Sequence, residues 1–299
     1  MFLNPVPISI TFLFLTACTR QEPFQEPIEQ THATTASILD TRALIKCTLE
    51  ATGVAVLELF TSESCYDCPK SDEALGELIE KLKGSGKNVI TIAQHVDYWD
   101  DLTYGEGECE GTWKDRFSKG VFSYRQFNYA SSLKIRAATP QVVFNGTHYI
   151  NDPGLEELEF EIDSLLNMPV NYSLCLELNR ERSNLDEYQL AIDYRLNMNI
   201  DSKKEFRKST VPQLQLFLLQ KKILSQPTKG ENCGNTWNSH DVARGFTSVT
   251  LREGIDGTTM IEYPKSLDLK GCKVVGFIQN IFENNFRVVG GSAGFEFVE

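Results

Sequence analysis

Residues Val54 to Pro69 read VAVLELFTSESCYDCP, and the interpretation of the whole chain starts from this stretch. Its first residues are apolar except for Glu58, which is typical of a strand buried on both faces of a parallel sheet. A short polar turn follows and leads to Cys65 and Cys68. Pro69 suits the first turn of a helix, where its missing N–H is no loss. Two cysteines therefore stand where a buried strand passes into a helix.

The helix predicted after Pro69 is amphipathic. Its apolar residues recur at helical spacing, and it ends near Gly84; they are Leu75, Leu78, Ile79 and Leu82. A CxxC pair at such a strand–helix junction has the position of the redox motif in a thioredoxin-like fold. We therefore predict an α/β thioredoxin-like N-terminal domain.

The predicted position gives the two cysteines different roles. The N–H groups and the dipole at a helix N-terminus stabilise a thiolate, so we predict that Cys65 is the nucleophile. Cys68, one turn deeper, is then the resolving partner. Negative charges at Glu63 and Asp67 oppose thiolate formation, which predicts a weaker oxidant than CxxC motifs with neutral or basic residues between the cysteines. The alternative is a structural disulfide, or two reduced thiols without turnover.

A second buried strand, predicted over Asn88 to Val96, contributes further candidates. His95 lies near its end, at the edge where α/β folds bind ligands, and it is a candidate to tune the cysteines or to share a metal with them. A satisfied core histidine is the alternative. Asp97, Tyr98 and Trp99 follow as candidates to line a substrate groove, the alternative being that the aromatic rings pack on the next helix.

Four further elements complete the predicted N-terminal domain. Residues 113–135 are predicted as a helix and Val142 to Phe144 as a third strand. Asn145 and Gly146 have the composition of a two-residue hairpin turn into a fourth strand at Tyr149-Ile150, and Leu155 to Leu166 form a closing helix. The order β-α-β-α-β-β-α is that of thioredoxin-like domains.

Four sequence blocks together resemble the exported thioredoxin-like family known as domain of unknown function 1223. The blocks are TSESCYDCP, HVDYWD, WKDRFSKGVFSYRQFNYA and TPQVVFNG. The resemblance spans Val54 to Asn167 and continues more weakly in GENCGNTWNSHDVAR and VVGFIQN. Tyr104 to Gly111 departs from it as an insertion that carries Cys109, and Glu63-Ser64 departs where Ser64 replaces the usual glycine. The family has no settled activity, so the resemblance implies a fold more firmly than a reaction.

The resemblance also implies that Pro140, which follows Thr139, is a cis proline facing the cysteine pair. A cis X–Pro bond costs only about 0.5–1 kcal/mol, which packing readily offsets. An ordinary trans proline at a strand start is the alternative. On this basis Pro140 joins Cys65 and Cys68 as a predicted catalytic residue, and Thr139 is predicted to line the site.

The pattern changes after residue 168. Short segments alternate apolar with polar residues and are separated by turn residues, which favours an antiparallel sandwich. We therefore predict a thioredoxin-like domain over residues 41–168 and a smaller all-β, sandwich-like domain over 169–299. The β-like segments are Ser173–Leu178, Gln189–Arg195, Gln213–Leu219, Val274–Gln279 and Phe286–Val289.

The N-terminal segment indicates export. Ile8 to Ala17 is apolar but short for a membrane span, so residues 1–17 are predicted to be a signal peptide. Leu15 to Cys18, LTAC, resembles the lipobox of bacterial lipoproteins and implies lipidation of Cys18, although no Lys or Arg precedes it. An ordinary cleaved signal is the alternative. Residues 18–40, rich in Gln, Glu, Thr and Pro, are predicted to be the lipid-anchored tether.

The amino-acid composition excludes one class of partner and indicates disulfide bonds. A net charge of −12 without a basic cluster argues against nucleic-acid binding. Eight cysteines in an exported chain suggest disulfides. Setting aside Cys18, Cys65 and Cys68 leaves an odd number, so at least one is free or paired outside that set, and the connectivity stays open. The remaining cysteines are Cys47, Cys109, Cys175, Cys233 and Cys272.

Together these observations predict an exported, membrane-anchored bacterial lipoprotein that faces the periplasm or the exterior. Its predicted activity is thiol–disulfide exchange with a protein or small-molecule substrate through Cys65 and Cys68, without a bound cofactor. A second hypothesis is copper(I) handling, since Cys65, Cys68 and His95 form a set of soft ligands. A third is a binding module in which the CxxC pair only staples the fold.

Overall fold

The structure is a computed structural model, and it describes residues 53–170, 172–183, 187–198, 211–251, 256–281 and 286–297. The predicted signal peptide, the tether, Cys18 and Cys47 lie outside the described residues. All described residues belong to one unit, Thr41–Glu299.

Within the described ranges the chain forms three α-helices and thirteen β-strands. The helices are α1 (Cys68–Leu82), α2 (Gly120–Leu133) and α3 (Leu155–Leu166). The strands are β1 (Ala55–Thr61), β2 (Val89–His95), β3 (Thr103–Tyr104), β4 (Gly111–Thr112), β5 (Gln141–Phe144), β6 (His148–Asn151), β7 (Tyr172–Ser183), β8 (Glu187–Met198), β9 (Val211–Ser225), β10 (Trp237–Thr250), β11 (Asp256–Pro264), β12 (Cys272–Ile281) and β13 (Val288–Glu296). Of the helices in this part of the chain, none has the length and apolar character needed to cross a bilayer.

Eleven of these strands form one mixed sheet. Its order is β11-β8-β7-β13-β12-β9-β10-β2-β1-β5-β6, while β3 and β4 pair only with each other. β1 and β2 run parallel, with Ala55 opposite Val89, and β5 is antiparallel to β1. On its other side β2 pairs with β10, where Val242 lies opposite Ala93. The strands after residue 168 therefore extend the sheet that the first strands begin.

The predicted fold class, a thioredoxin-like domain followed by a separate all-β domain, is wrong. The alternating segments after residue 168 do form strands, but these strands join the sheet of the first half. Alternation is a local pattern: it indicates a strand without indicating its neighbours. The residue boundaries predicted for the two domains, 41–168 and 169–299, stay a prediction.

The elements next to the cysteine pair form where the sequence predicts them. β1 is buried along its whole length, and α1 begins at Cys68 with Pro69 in its first turn. The predicted hairpin turn is also confirmed: Asn145 and Gly146 have positive φ angles of 46° and 67°, and the Thr147 N–H donates to the Phe144 carbonyl over 2.9 Å.

The predicted helix over residues 113–135 starts too early. α2 begins only at Gly120. Before it, the carboxylate of Asp115 accepts hydrogen bonds from two backbone N–H groups, those of Phe117 (2.8 Å) and Glu63 (2.8 Å). A side chain that bonds nearby backbone in this way competes with helix formation, which explains the later start.

The hydrophobic core contains residues from both halves of the chain. Leu57 of β1 belongs to the same cluster as Val242 of β10, and Ile92 of β2 to the same cluster as Phe217 of β9. α1 also approaches β10 closely, since a Cβ added at Gly76 would lie 2.4 Å from the His240 ring. The core therefore matches the continuous sheet.

A buried ion pair connects β1, α2 and two distant strands. Glu58, the one charge in β1, accepts from Arg125 Nε (2.5 Å) and Nη2 (2.9 Å). Arg125 also donates to Gln215 of β9 (3.1 Å), Gln279 of β12 (3.2 Å) and the hydroxyl of Tyr129 (2.8 Å). Burial lowers the pKa of Arg125, but the charge and hydrogen bonds of Glu58 together with Tyr129 raise it above its ordinary value, so the guanidinium stays charged.

Removing one partner of this pair should destabilise the protein strongly. Arg125→Met leaves Glu58 buried and unpaired, and we expect the free energy of unfolding to fall by about 3–5 kcal/mol in urea denaturation. Glu58→Leu should do the same, and the double variant should lose clearly less than the sum of the two. Arg136→Met, at an exposed arginine, is the matched control. Simple additivity of the two substitutions would contradict this account of the pair.

Candidate functional site

Cys65 and Cys68 form a disulfide with their Cα atoms 5.4 Å apart. Cys65 lies in the turn after β1, and Cys68 is the first residue of α1. Cys65 is 2% exposed and Cys68 is fully buried, while Tyr66 between them is 67% exposed. The pair is therefore oxidised and shielded from solvent. A substrate sulfur atom reaches it only if the residues that bury Cys65 move.

A segment from the second half of the chain, residues 227–236, is hydrogen-bonded to the backbone around Cys65, and we call it the covering segment. The side-chain amide of Asn232 donates to the carbonyl of Cys65 (2.7 Å) and to that of Glu63 (3.1 Å). The carboxylate of Glu231 accepts from the Tyr66 N–H (3.2 Å). Asn232 is itself buried. Sequence reasoning did not identify Asn232, because nothing in the GENCGNTW block indicates where it folds.

A second disulfide fastens this covering segment. Cys233 pairs with Cys109, 124 residues away, which lies in the inserted loop. Next to it the Gly230 N–H donates to the Cys109 carbonyl (3.0 Å), and Lys229 Nζ donates to the Glu108 carbonyl (2.6 Å). The inserted loop and the covering segment therefore form one bridged structure over the first disulfide.

Two further cysteines, Cys175 and Cys272, lie in the described residues. Cys175 is disulfide-bonded, and Cys272 is free and buried. The odd number of cysteines predicts a free or otherwise paired thiol, and Cys272 is such a thiol.

A cluster of buried ionisable side chains adjoins the cysteine pair. His95 Nδ1 lies 2.6 Å from Asp115 Oδ2, and both residues are buried. Trp113 Nε1 donates to Glu63 (2.9 Å). On α1, Asp72 Oδ2 accepts from Thr61 Oγ1 (3.1 Å); its second donor is Trp237 Nε1 of β10 (3.2 Å). Asp72 and Asp115 carry no motif of their own, and only the four-residue spacing from Cys68 to Asp72 could have indicated the former.

Burial and mutual charge set the protonation of this cluster. Burial alone lowers the pKa of His95, but the charge and hydrogen bond of Asp115 raise it above its ordinary value. Burial raises the pKa of Asp115, but the charge and hydrogen bond of His95, together with the backbone hydrogen bonds from Glu63 and Phe117, lower it below its ordinary value, so Asp115 and His95 form a buried ion pair. Burial, and then the charge of Asp115, raise the pKa of Glu63. Burial raises the pKa of Asp72 from 3.8 to about 6.

Three atoms of this cluster have no hydrogen-bond partner among the described residues: Glu63 Oε1, Asp72 Oδ1 and His95 Nε2. Unsatisfied buried polar atoms are costly and need an explanation. Asp72 follows Cys68 by four residues on α1, so the two side chains lie on the same face one turn apart. A carboxyl that titrates near neutral pH beside Cys68 is able to take up or release the proton of its thiol.

The predicted metal ligands do not assemble. Across the described ranges, no group of three or more His, Cys, Asp or Glu side chains is placed to hold a metal ion. Cys65 and Cys68 are bonded to each other, and His95 is paired with Asp115. The copper(I) set of Cys65, Cys68 and His95 is therefore not formed in this state.

The other predicted site residues lie as follows. The Thr139–Pro140 bond is cis, as predicted, and Trp99 Nε1 donates to Thr139 Oγ1 (2.8 Å). Tyr98 stacks on Phe127 of α2, with the ring centroids 6.0 Å apart. Asp97 contacts α2 through Ser123, and Asp67 is the exposed N-cap of α1. Their roles in a reaction stay predictions.

A single disulfide at a strand–helix junction, surrounded by buried ionisable groups and covered by a bridged loop, defines the site. Residues 56–279 match the family described as "Protein of unknown function (DUF1223)". The chain belongs to this family, as its sequence blocks predict. No curated protein matches it.

Two solved structures are similar to this one. A protein of Agrobacterium tumefaciens is 18% identical, with a TM-score of 0.55 over 84% of this chain and 97% of its own. HBP35 of Porphyromonas gingivalis is 14% identical, with a TM-score of 0.59 over 83% of this chain and 76% of its own. At these identities the likeness concerns the fold alone.

The raised pKa of Asp72 should make the effect of Asp72→Asn depend on pH. Because the pKa is higher in the folded state, the carboxyl favours folding fully below about pH 4, and this contribution is lost as the pH rises through about 6. Asn does not titrate, so the free energy of unfolding of the variant, relative to that of the wild type, should increase between pH 4 and pH 7. The gain should approach roughly 3 kcal/mol, the equivalent of a pKa moved from 3.8 to about 6.

Urea denaturation of both proteins from pH 4 to pH 8 measures this difference. Asp67→Asn, at the exposed residue next to Cys68, is the matched control and should show no such trend. A stability difference for Asp72→Asn that stays constant with pH would show that this carboxyl does not titrate as described.

Proposed function

We propose that this protein exchanges thiols and disulfides with a substrate outside the cytoplasm, through Cys65 and Cys68. The observation that carries the proposal is Asp72, a buried carboxyl one helical turn after Cys68 with an unpartnered oxygen. A structural staple needs two cysteines and nothing else. Burying an ionisable group beside it costs stability, and shifted pKa values of this kind cluster at functional sites.

The exchange follows from the chemistry of the pair. With the pair reduced, the Cys65 thiolate attacks one sulfur of a substrate disulfide, and the other substrate sulfur leaves as a thiolate that takes a proton. Cys68 then gives its proton to the Asp72 carboxylate and attacks the Cys65 sulfur. The Cys65–Cys68 disulfide forms again, and the second substrate sulfur leaves. Two electrons pass from the pair to the substrate, and the reverse sequence oxidises a substrate dithiol.

The surroundings of Cys65 support its part as the nucleophile. It lies just before the N-terminus of α1, where the helix dipole favours negative charge. The raised pKa of Glu63 also means that this carboxyl opposes a thiolate less than its sequence position suggests. Both effects favour the Cys65 thiolate.

A variant with Cys68 replaced tests this function directly. In Cys68→Ser the intramolecular disulfide cannot form, so glutathione disulfide should trap Cys65 as a mixed disulfide, detected by mass spectrometry of the intact protein. The rate of Cys65 alkylation against pH should give a pKa below the ordinary thiol value of about 8.5. Cys68→Ser combined with Cys272→Ser should behave alike, which excludes the buried free thiol as the trapped residue. A Cys65 pKa at the ordinary thiol value would show that the pair is only a structural disulfide.

We also infer that the protein acts at a membrane surface, anchored by a lipid at Cys18. The LTAC box supports this, although it lies outside the described residues. Cys18→Ser should release the protein from the membrane fraction of cells or leave the precursor unprocessed. Arg20→Ser, two residues further on, is a control that should change neither. Normal processing and unchanged membrane association of Cys18→Ser would contradict the lipid anchor at Cys18.

A further inference from the structure

The two disulfides near the site differ in access. Cys65 and Cys68 are covered, whereas Cys109 and Cys233 are only partly buried. Thiol–disulfide exchange requires a thiolate to reach a sulfur atom, so access limits its rate. In the closed structure an external thiol therefore meets the Cys109–Cys233 disulfide first.

A few hydrogen bonds hold the covering segment against the residues around Cys65–Cys68, which we call the inner pair. They are the two hydrogen bonds of Asn232, the one between Glu231 and Tyr66, and those of Lys229 and Gly230 to the inserted loop. The tip of the segment, residues 234–236, is exposed. Pro227, Gly230 and Asn232 of the segment are buried, but no residue of it pairs with the large sheet. A surface segment held by a few hydrogen bonds opens locally more readily than the core strands unless a covalent bond restrains it. The Cys109–Cys233 bond is that restraint.

The inserted loop is able to move without disturbing the sheet. Its strands, β3 and β4, pair only with each other and not with the eleven-stranded sheet. Cys109 lies between them, in a single 3₁₀ turn, Gly107–Cys109. Breaking its bond to Cys233 therefore separates two surface segments and leaves the core strands paired.

We propose that Cys109–Cys233 is a second redox-active disulfide, which external dithiols reduce first, and whose reduction uncovers Cys65–Cys68. The inference rests on the proposed exchange function of the inner pair and adds an order to it. The partner class is a dithiol, either a small molecule or a protein with two adjacent thiols.

The reaction balances as two successive two-electron steps. One thiolate of the dithiol attacks the sulfur of Cys109 or Cys233, the disulfide bond breaks, and the departing cysteine takes a proton. The second thiol of the dithiol then attacks the mixed disulfide and releases the other cysteine as a thiol. The dithiol ends as a disulfide, and Cys109 and Cys233 end as two thiols. A second equivalent of dithiol reduces Cys65–Cys68 in the same way once it is accessible.

Stepwise reduction of the intact protein tests the order. The protein is treated with limiting dithiothreitol, samples are quenched by alkylation, and each cysteine is quantified by peptide mass spectrometry. We expect Cys109 and Cys233 to be alkylated first, and Cys65 and Cys68 only after a lag. In the double variant Cys109→Ser/Cys233→Ser the lag should disappear, and the inner pair should react at least about tenfold faster. Cys272→Ser, which touches neither disulfide, should keep both the order and the lag.

Asn232→Ala is the second variant, and it keeps both disulfides. It removes the two hydrogen bonds to the carbonyls of Glu63 and Cys65 and should speed reduction of the inner pair while leaving Cys109–Cys233 unchanged. Circular dichroism confirms that each variant is folded. Reduction of the inner pair before the outer one in the wild type, or at equal rates with and without the outer bond, would overturn the proposal.

Failure of the exchange function has a different signature. Ordered reduction in the wild type, together with an unshifted Cys65 pKa in Cys68→Ser/Cys109→Ser/Cys233→Ser, where the outer bond is absent, supports the cover and contradicts the exchange activity. If a mixed disulfide at Cys65 is trapped equally fast with and without the Cys109–Cys233 bond, the exchange function is supported and the proposed covering role of that bond is contradicted.

Discussion

The ion pair of Glu58 and Arg125 is the constraint on which the arrangement of the sheet depends. A carboxylate in the middle of a fully buried strand is tolerable only if a cation and hydrogen-bond donors reach it. Arg125 supplies the charge from α2, and its other N–H groups need acceptors of their own, which Gln215 and Gln279 provide. The side chains of Gln215 on β9 and Gln279 on β12 must therefore face Arg125 of α2. One charge in the first strand thereby ties the two halves of the chain together.

The site follows the same physical logic. Its ionisable groups are buried because the sheet continues past β2 to β10, which brings Trp237 to Asp72 and the covering segment to Cys65. In an isolated first half, the edge of β2 would be open and Asp72 would lose one of its donors. The chemistry available to the cysteine pair therefore depends on residues that stand more than 150 positions away from it.

Much of the local structure was predictable from the residues themselves. The buried strand, the helix after Pro69, the hairpin at Asn145 and the family all follow from short patterns, and the cis bond at Pro140 from the family resemblance. The start of α2 was not predictable, because the side chain of Asp115 accepts from the Phe117 N–H and so competes with the helix at its predicted start. The partner of Cys109 was not predictable either, because disulfide connectivity is a property of the folded chain.

The sequence by itself determined most of the strands and helices, though not the start of α2, and it placed two cysteines between a buried strand and a helix. Periodicity and turn chemistry act over a few residues, so short patterns suffice for these features. Only the tertiary structure decided that the alternating strands of the second half extend the first sheet and that Asn232 closes over Cys65. It also decided that Asp72 is buried enough for its pKa to rise to about 6. The neighbours of a strand and the burial of a side chain arise from contacts between residues far apart in the chain. A local sequence pattern therefore does not predict them.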